Sequence, residues 1–258
     1  MERKEYSNEY VPVHITANSL IHDDVTLEDA LQIASEAGFD GFEVRHELLP
    51  LTLSSTEIQA IHRQLQQFPM APTYSKPFSL FQNGRFEPVF IQQTLAEARS
   101  FGCRRIKFSA IGVAFDEQEF VGLPELCTLL HREATDIVVT VENDQSMASG
   151  DLLLWERFFA RTTALACPIK MTFDLANWTC ADTDAVEAAK RLGRYVEYIH
   201  VKSVERQGNR WASVPISQAS ISHPAFAFLP TSAPRALEFP LITTGNEELQ
   251  RSLSTYIT

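Results

Sequence analysis

The chain has 258 residues, of which 45% are hydrophobic and 21% charged, so it can bury a sizeable core and is not of the disordered class. Its formal net charge of −11, with a pI near 5.1 and no run of Lys or Arg, argues against a partner bound through a nucleic-acid backbone. No stretch approaches the ~20 apolar residues of a membrane helix, and "MERKEYSNEYVPVHITANSL" lacks the apolar core of a signal peptide, so no membrane partner and a cytoplasmic location are expected.

Short β-rich runs alternate with amphipathic segments from one end of the chain to the other. "VPVHITA" is the first predicted strand, and "TLEDALQIASEAG" follows as a helix with Leu27, Leu31 and Ala34 on one face and a stop at Gly38. "GFEVR" is the second strand, followed by "STEIQAIHRQLQQF", whose Ser/Thr start has Glu57 two residues past Ser55 in the first turn. "MAPTYS" then pairs with the helix "EPVFIQQTLAEARSFG", and "RRIKFSA" with "EFVGLPELCTLLHREA". "DIVVTVEN" precedes "GDLLLWERFFARTTAL", "IKMTFDL" precedes "TDAVEAAKRLG", and "YVEYIHVK" and "RALEFP" are the last two strands.

Between those last strands, residues from about 203 to 233 carry three prolines, with a fourth at Pro234, and weak periodicity, which predicts a long loop with only a short helix and a role in shaping the site. Eight βα units in a chain of this length predict an α/β fold, a single (β/α)8 TIM barrel occupying residues 1–258 as one domain. A doubly wound open sheet is the competing architecture, but it advertises a glycine-rich turn after its first strand, and "VHITANSLIHDD" has no glycine. Cys103, Cys127, Cys167 and Cys180 show no C-x-x-C spacing and are read as reduced, mostly buried thiols.

Four of the last strands end on polar groups: Glu142 closes "VVTVE", Asp174 closes "MTFD", His200 lies in "YIHVK" and Glu238 closes "ALEFP". Their separations of 32, 26 and 38 residues are each about one βα unit, so all four are aimed at the same mouth of a barrel. Strand alternation turns Val141, Phe173, Ile199 and Leu237 toward the helices and leaves the four polar groups inside. One imidazole and three carboxylates suit one divalent cation, Mn²⁺, Mg²⁺, Co²⁺ or Zn²⁺, whereas three negative charges meeting without a cation are costly. Each residue also has a plain structural reading: Asp174 as the cap of the next helix, Glu142 paired with a buried lysine, His200 as a satisfied core histidine.

The motifs "GFDGFEVR", "VTVEN", "FDLANW", "YIHVK" and "LEFP", in this order and at these intervals, resemble the xylose-isomerase-like TIM barrels of the sugar phosphate isomerase/epimerase group over nearly the whole chain. The resemblance implies one divalent metal held by Glu142, Asp174, His200 and Glu238, with Glu142 and Glu238 also acting as acid and base on opposite faces of the substrate. Such a carboxylate pair fits proton transfer beside a metal-polarised carbonyl. Glu43, Arg45, Lys107, Asn177 and Lys202 form the candidate substrate shell, with an internal salt-bridge network as the alternative for the charged ones. His14 and Asn18 alternate inward on the first strand, His14 low in the barrel.

Ser203 stands where this family commonly has Asp after "HVK", which weakens any role resting on that carboxylate. The endonuclease branch uses several zinc ions and many more strand-end histidines, and only His200 is well placed here. The reading is therefore a metal-dependent isomerase or epimerase of a small ketose, keto acid or related carbohydrate. The alternatives are a dehydratase or lyase of the inosose or dehydroshikimate type on the same scaffold, and a barrel that binds a sugar without turning it over. The expected partner is a small carbohydrate, with homo-oligomerisation left open.

Overall fold

The computed structural model of the protein describes residues 10–21, 25–50, 53–82, 85–112, 120–216 and 218–239. The barrel strands are β1 (Val13–Thr16), β2 (Gly41–Arg45), β3 (Ala71–Ser79), β4 (Arg105–Ala110), β5 (Val138–Glu142), β6 (Ile169–Asp174), β7 (Val196–Val201) and β10 (Arg235–Leu237), and they close in the order β1-β10-β7-β6-β5-β4-β3-β2. Every pairing is parallel. Around them run α1 (Ala17–Leu20), α2 (Leu27–Ala37), α3 (Ser55–Gln66), α4 (Pro88–Ser100), α5 (Leu123–Glu133), α6 (Leu152–Ala164), α7 (Leu175–Cys180), α8 (Ala185–Leu192) and α9 (Gln218–Ile221). All eight predicted barrel strands are present. No described helix is long and apolar enough to cross a membrane.

The helices start where the sequence offers caps. Thr26 and Asp29 form a reciprocal capping box on α2, and Gly38 ends that helix with a φ of 90°, a left-handed geometry a side chain would resist. The box on α3 is Ser54 with Glu57, so the helix begins with its cap one residue before the Ser55 start read from sequence. Asp151 and Asp184 cap α6 and α8.

Outward-facing strand residues Val141, Phe173 and Ile199 are fully buried against the helices, with Leu237 nearly so. Each such side chain removed from water contributes about 1.5–3 kcal/mol. The barrel interior is polar by contrast, as alternation requires: Thr140 and Thr172 bond to each other at 2.7 Å, and Arg105 lies over the Tyr198 ring. His14 sits low in that interior, its ring 5.6 Å from Tyr198. A Cβ on Gly41 would come within 2.4 Å of the imidazole, which is why β2 begins on glycine.

Three expectations are corrected. Residues 203–233 are not mainly loop: β8 (Ser203–Gln207) and β9 (Arg210–Val214) form an antiparallel hairpin, turned at Gly208 with φ 63°, before α9 and a 3-10 turn at Pro224–Phe228. The alternating runs "SVERQ" and "RWASV" flanking Gly-Asn carry that signal, which the prolines further on obscure. Cys127 and Cys167 form a disulfide, because the middle of α5 and the turn before β6 bring their Cα atoms to 4.8 Å; Cys103 and Cys180 are free and buried, as expected. Third, β1 stops at Thr16, and Asn18 lies on α1 rather than on the strand.

Candidate metal centre

The register carries the polar groups to one level of the barrel mouth. Glu142 is the last residue of β5 and Asp174 the last of β6, and Asp174 pairs in register with His200 of β7. Glu238 follows β10, its backbone N–H donating to the Val201 carbonyl at 3.0 Å. One ligand atom from each of Glu142, Asp174, His200 and Glu238 lies within 4.8 Å of the other three. All but Glu238 belong to the buried set.

His200 is the hub. Its Nδ1 stands 2.9 Å from Glu142 Oε1, 2.8 Å from Glu238 Oε2 and 3.9 Å from Asp174 Oδ2, while its Nε2 lies 2.8 Å from Glu43 Oε2 on the other side of the ring. Burial pushes this histidine down, but the Glu43 and Glu142 carboxylates outweigh burial and hold its pKa well above the usual range. A proton thus occupies the place where a cation would balance the same carboxylates.

Asp174 divides its two oxygens between two tasks. Oδ1 accepts from the backbone N–H groups of Ala176 at 2.9 Å and Asn177 at 2.8 Å, capping α7, so the structural reading of this aspartate is correct. Oδ2 accepts no well-aligned hydrogen bond and faces the cluster, 2.8 Å from the Lys202 ammonium. Burial raises the Asp174 pKa, and although Lys202 opposes this, the neighbouring Glu142 and Glu238 push the same way as burial.

Cations occupy the spaces between the carboxylates. Lys107, fully buried, donates to Glu142 Oε2, and despite burial this charge and that of His200 hold Glu142 at about 2. Arg45 reaches Glu238 at 3.2 Å, Glu43 at 3.4 Å and Glu47 at 2.7 Å. Lys202 adds a contact to Glu238 at 3.6 Å and Asn18 donates to it at 3.2 Å, and with His200 and Arg45 the lysine keeps Glu238 well below the usual carboxylate range against its burial. The salt-bridge network weighed for Glu43, Arg45 and Lys107 is therefore present.

Of the candidate shell, Arg45 and Lys202 stand at the mouth and Lys107 lies beneath Glu142. Glu43 is fully buried behind His200. Asn177 points its amide at the Asn143 carbonyl, 2.7 Å away, and braces the ends of β5 and β6. Sequence reading missed Asn143, which receives the Asp174 N–H and donates to the Asp174 carbonyl, both at 2.9 Å. Its only sequence signal is adjacency to Glu142. Beside Lys202, a recess of about 280 Å³ opens between α7 and the β8–β9 hairpin, lined in part by Thr179, Ser203, Ser220 and His223.

The donor set tests well for a divalent ion. Glu142 Oε1 and Asp174 Oδ2 are buried acceptors that make ion-pair contacts but no well-aligned hydrogen bond, and they meet an imidazole nitrogen and a third carboxylate at one centre; three oxygens with one nitrogen suit Mn²⁺, Mg²⁺, Co²⁺ or Zn²⁺.

No family model and no curated protein matches the sequence. Among solved structures, the chain is similar to a probable 3-DHS dehydratase, AsbF, from Bacillus anthracis: 16% identity, 96% of this chain and 99% of that one, TM-score 0.69. It is similar to an L-ribulose 3-epimerase at 14% identity, with 96% and 93% covered and a TM-score of 0.67. The IolI protein with a bound zinc atom gives 13% identity, 95% and 96% coverage and a TM-score of 0.66. At these identities the likeness carries the (β/α)8 barrel fold alone.

Proposed function

We propose that the protein is a divalent-metal-dependent isomerase or epimerase of a small ketose, keto acid or related carbohydrate, working by proton transfer next to a carbonyl. The convergence of Glu142, Asp174, His200 and Glu238 within 4.8 Å, with two buried acceptors that lack a well-aligned hydrogen bond, is the observation that carries this reading. These four residues would hold one ion, whose chemistry is to polarise a carbonyl and ease removal of the adjacent proton. The fold neighbours include an L-ribulose 3-epimerase and a protein that binds zinc, which is in keeping with it.

The chain's own groups supply the rest. Glu142 and Glu238 approach the centre from different strands and are the acid and base of the proposal. Lys107 and Lys202 keep them ionised beside a buried imidazole, and Arg45 and Asn18 fix the Glu238 carboxylate in place. Arg45 and Lys202 remain near enough to the mouth to orient substrate hydroxyls, and the recess beside Lys202 has room for the part of the substrate that does not react.

One observation favours the dehydratase alternative as a second reading: the two glutamates are not equivalent. Among the described residues, Glu238 is surrounded by Asn18, Arg45, Lys202 and His200, while Glu142 meets Lys107 and His200 and its Oε1 accepts no well-aligned hydrogen bond. Such asymmetry suits chemistry with one base, and a fold neighbour is a probable dehydratase. The reading also includes a cytoplasmic location, against which the Cys127–Cys167 disulfide is the observation that weighs.

Proton exchange in D₂O separates these readings. With C3 to C6 ketoses and saturating Mn²⁺, Glu142→Gln and Glu238→Gln should each lower turnover ~10²-fold or more while lowering metal content much less. An epimerase keeps a half-reaction in each variant, exchanging one substrate proton while interconversion stops. A dehydratase loses exchange in one variant only. Wild-type turnover in both removes the two glutamates from the chemistry, and no exchange by the wild-type protein with any substrate leaves a binding barrel.

A further inference from the structure

Glu43 does not reach the mouth. It projects from β2 into the barrel interior, is fully excluded from solvent, and meets the far side of the His200 ring at 2.8 Å. β2 and β7 are not neighbours in the barrel, since β1 and β10 lie between them, so the contact spans the interior. An imidazole has one nitrogen on each side, and a neutral ring carries its hydrogen on only one of them. The nitrogen that faces the carboxylate cluster is Nδ1.

We infer that Glu43 is a positioning residue that fixes the tautomer of His200, accepting the Nε2–H so that the Nδ1 lone pair faces Glu142, Asp174 and Glu238. The inference rests on the metal-centre reading above and adds to it a residue outside the ligand set. A carboxylate suits the task because an ionised one only accepts, and so can meet only a ring nitrogen that carries hydrogen.

The surroundings of Glu43 make the substitution by glutamine unusually informative. Its other oxygen, Oε1, faces Arg45 Nη1 at 3.4 Å and Lys107 Nζ at 3.8 Å. An amide at position 43 has one oxygen and one NH₂. With two cations on the Oε1 side, the oxygen goes there and the NH₂ turns to His200 Nε2. That nitrogen must then accept, the hydrogen moves to Nδ1, and the cluster loses its imidazole ligand. Glu43→Gln, which changes almost no volume, is therefore more harmful to ion binding than Glu43→Asp, which is shorter but keeps an acceptor that cannot donate. A merely structural role for Glu43 gives the opposite order.

The experiment titrates Zn²⁺ and Mn²⁺ into wild type, Glu43→Gln and Glu43→Asp by calorimetry. It also records long-range ¹H–¹⁵N spectra of the zinc-loaded, ¹⁵N-histidine-labelled wild type, with His200 assigned by its loss in His200→Ala. The expected result is a 10- to 100-fold weaker affinity for Glu43→Gln, a smaller loss for Glu43→Asp, and a wild-type His200 with hydrogen on Nε2 and metal on Nδ1. Equal affinity in wild type and Glu43→Gln, or metal on Nε2 in the spectrum, overturns the inference while leaving the metal centre standing. A wild type that takes up no ion removes the metal centre, and this inference with it. The spectrum needs no Glu43 variant, so a Glu43→Gln chain that fails to fold still leaves a decisive measurement.

Discussion

Substituting Asp174 separates its two oxygens. In Asp174→Asn an amide oxygen can still accept from the Ala176 and Asn177 N–H groups, so α7 keeps its cap, and only the charge facing the cluster is lost. That loss removes the Lys202 ion pair but also relieves the burial and the Glu142 and Glu238 repulsion that disfavour the charged form, so the two effects largely offset in the ion-free protein. Asp174→Ala removes the cap as well, a cost of about 0.5–2 kcal/mol, and leaves Lys202 with Glu238 at 3.6 Å as its nearer carboxylate. For wild type, an ion at 100 times its Kd adds about 2.7 kcal/mol. At about 2–4 °C per kcal/mol for a chain of this size, that raises Tm by about 5–11 °C. Thermal unfolding with and without Mn²⁺ should thus show Asp174→Asn close to wild type when ion-free but without the ion-dependent rise. Asp174→Ala should lack the rise and start lower, and both should retain ~10-fold less metal in elemental analysis. A full ion-dependent rise in Asp174→Asn refutes ligation by Oδ2. Equal ion-free Tm values for the two variants refute the argument from the cap.

His14, buried and near the Arg105 charge, is pushed down to about 3. Its folded pKa lies below the unfolded value, so the unfolded chain takes up the extra proton and stability falls as pH drops below about 6.5. The loss is about 2 kcal/mol between pH 6.5 and pH 5, and His14→Phe should remove that part of the pH dependence in urea melts at pH 7 and pH 5. Alkylation of the denatured, unreduced protein should label Cys103 and Cys180 and spare Cys127 and Cys167, and reduction should cost up to about 4 kcal/mol, the chain-entropy value for a loop spanning the separation of 40 residues. Hydrogen exchange across 203–214 should slow when a substrate or inhibitor binds, since the base of the hairpin lines the recess beside Lys202; unchanged protection there argues against a role in the pocket.

The barrel was legible because its two periodicities are strong. Val141, Phe173, Ile199 and Leu237 alternate with the polar groups as a strand buried on both faces requires, and the spacing of those polar groups repeats with the βα unit. What escaped detection lies outside periodic elements or depends on contacts distant in sequence. Asn143 stands just past the end of β5, where alternation no longer says where a side chain points. Cys127 and Cys167 are brought together by the packing of α5 against the turn before β6, which spacing alone does not reveal. The parity of Glu43 was read correctly as inward, but inward covers both the mouth and the layer behind His200, and strand register across the barrel decides which.

The structural and chemical readings of the strand ends were set against each other in the sequence, and in the fold they coexist. Asp174 caps α7 with one oxygen and faces the cluster with the other; Glu142 pairs with Lys107 through Oε2 and leaves Oε1 toward the centre. The charges show why the structural reading is incomplete. Among the described residues, four carboxylates at the centre, Glu43, Glu142, Asp174 and Glu238, face three permanent cations, Arg45, Lys107 and Lys202. A network built only to hold strands together has no reason to leave a buried negative charge over, because burial makes such an excess costly. In the ion-free protein the excess is met by the proton that the carboxylates hold on His200. A divalent ion with a neutral His200 would instead leave the centre one charge positive, the sign that favours negative charge developing on a bound carbonyl oxygen. The same eight side chains, His200 among them, therefore make a tolerable ion-free core and a centre poised for anionic chemistry, and the exchangeable charge at His200 separates the two states.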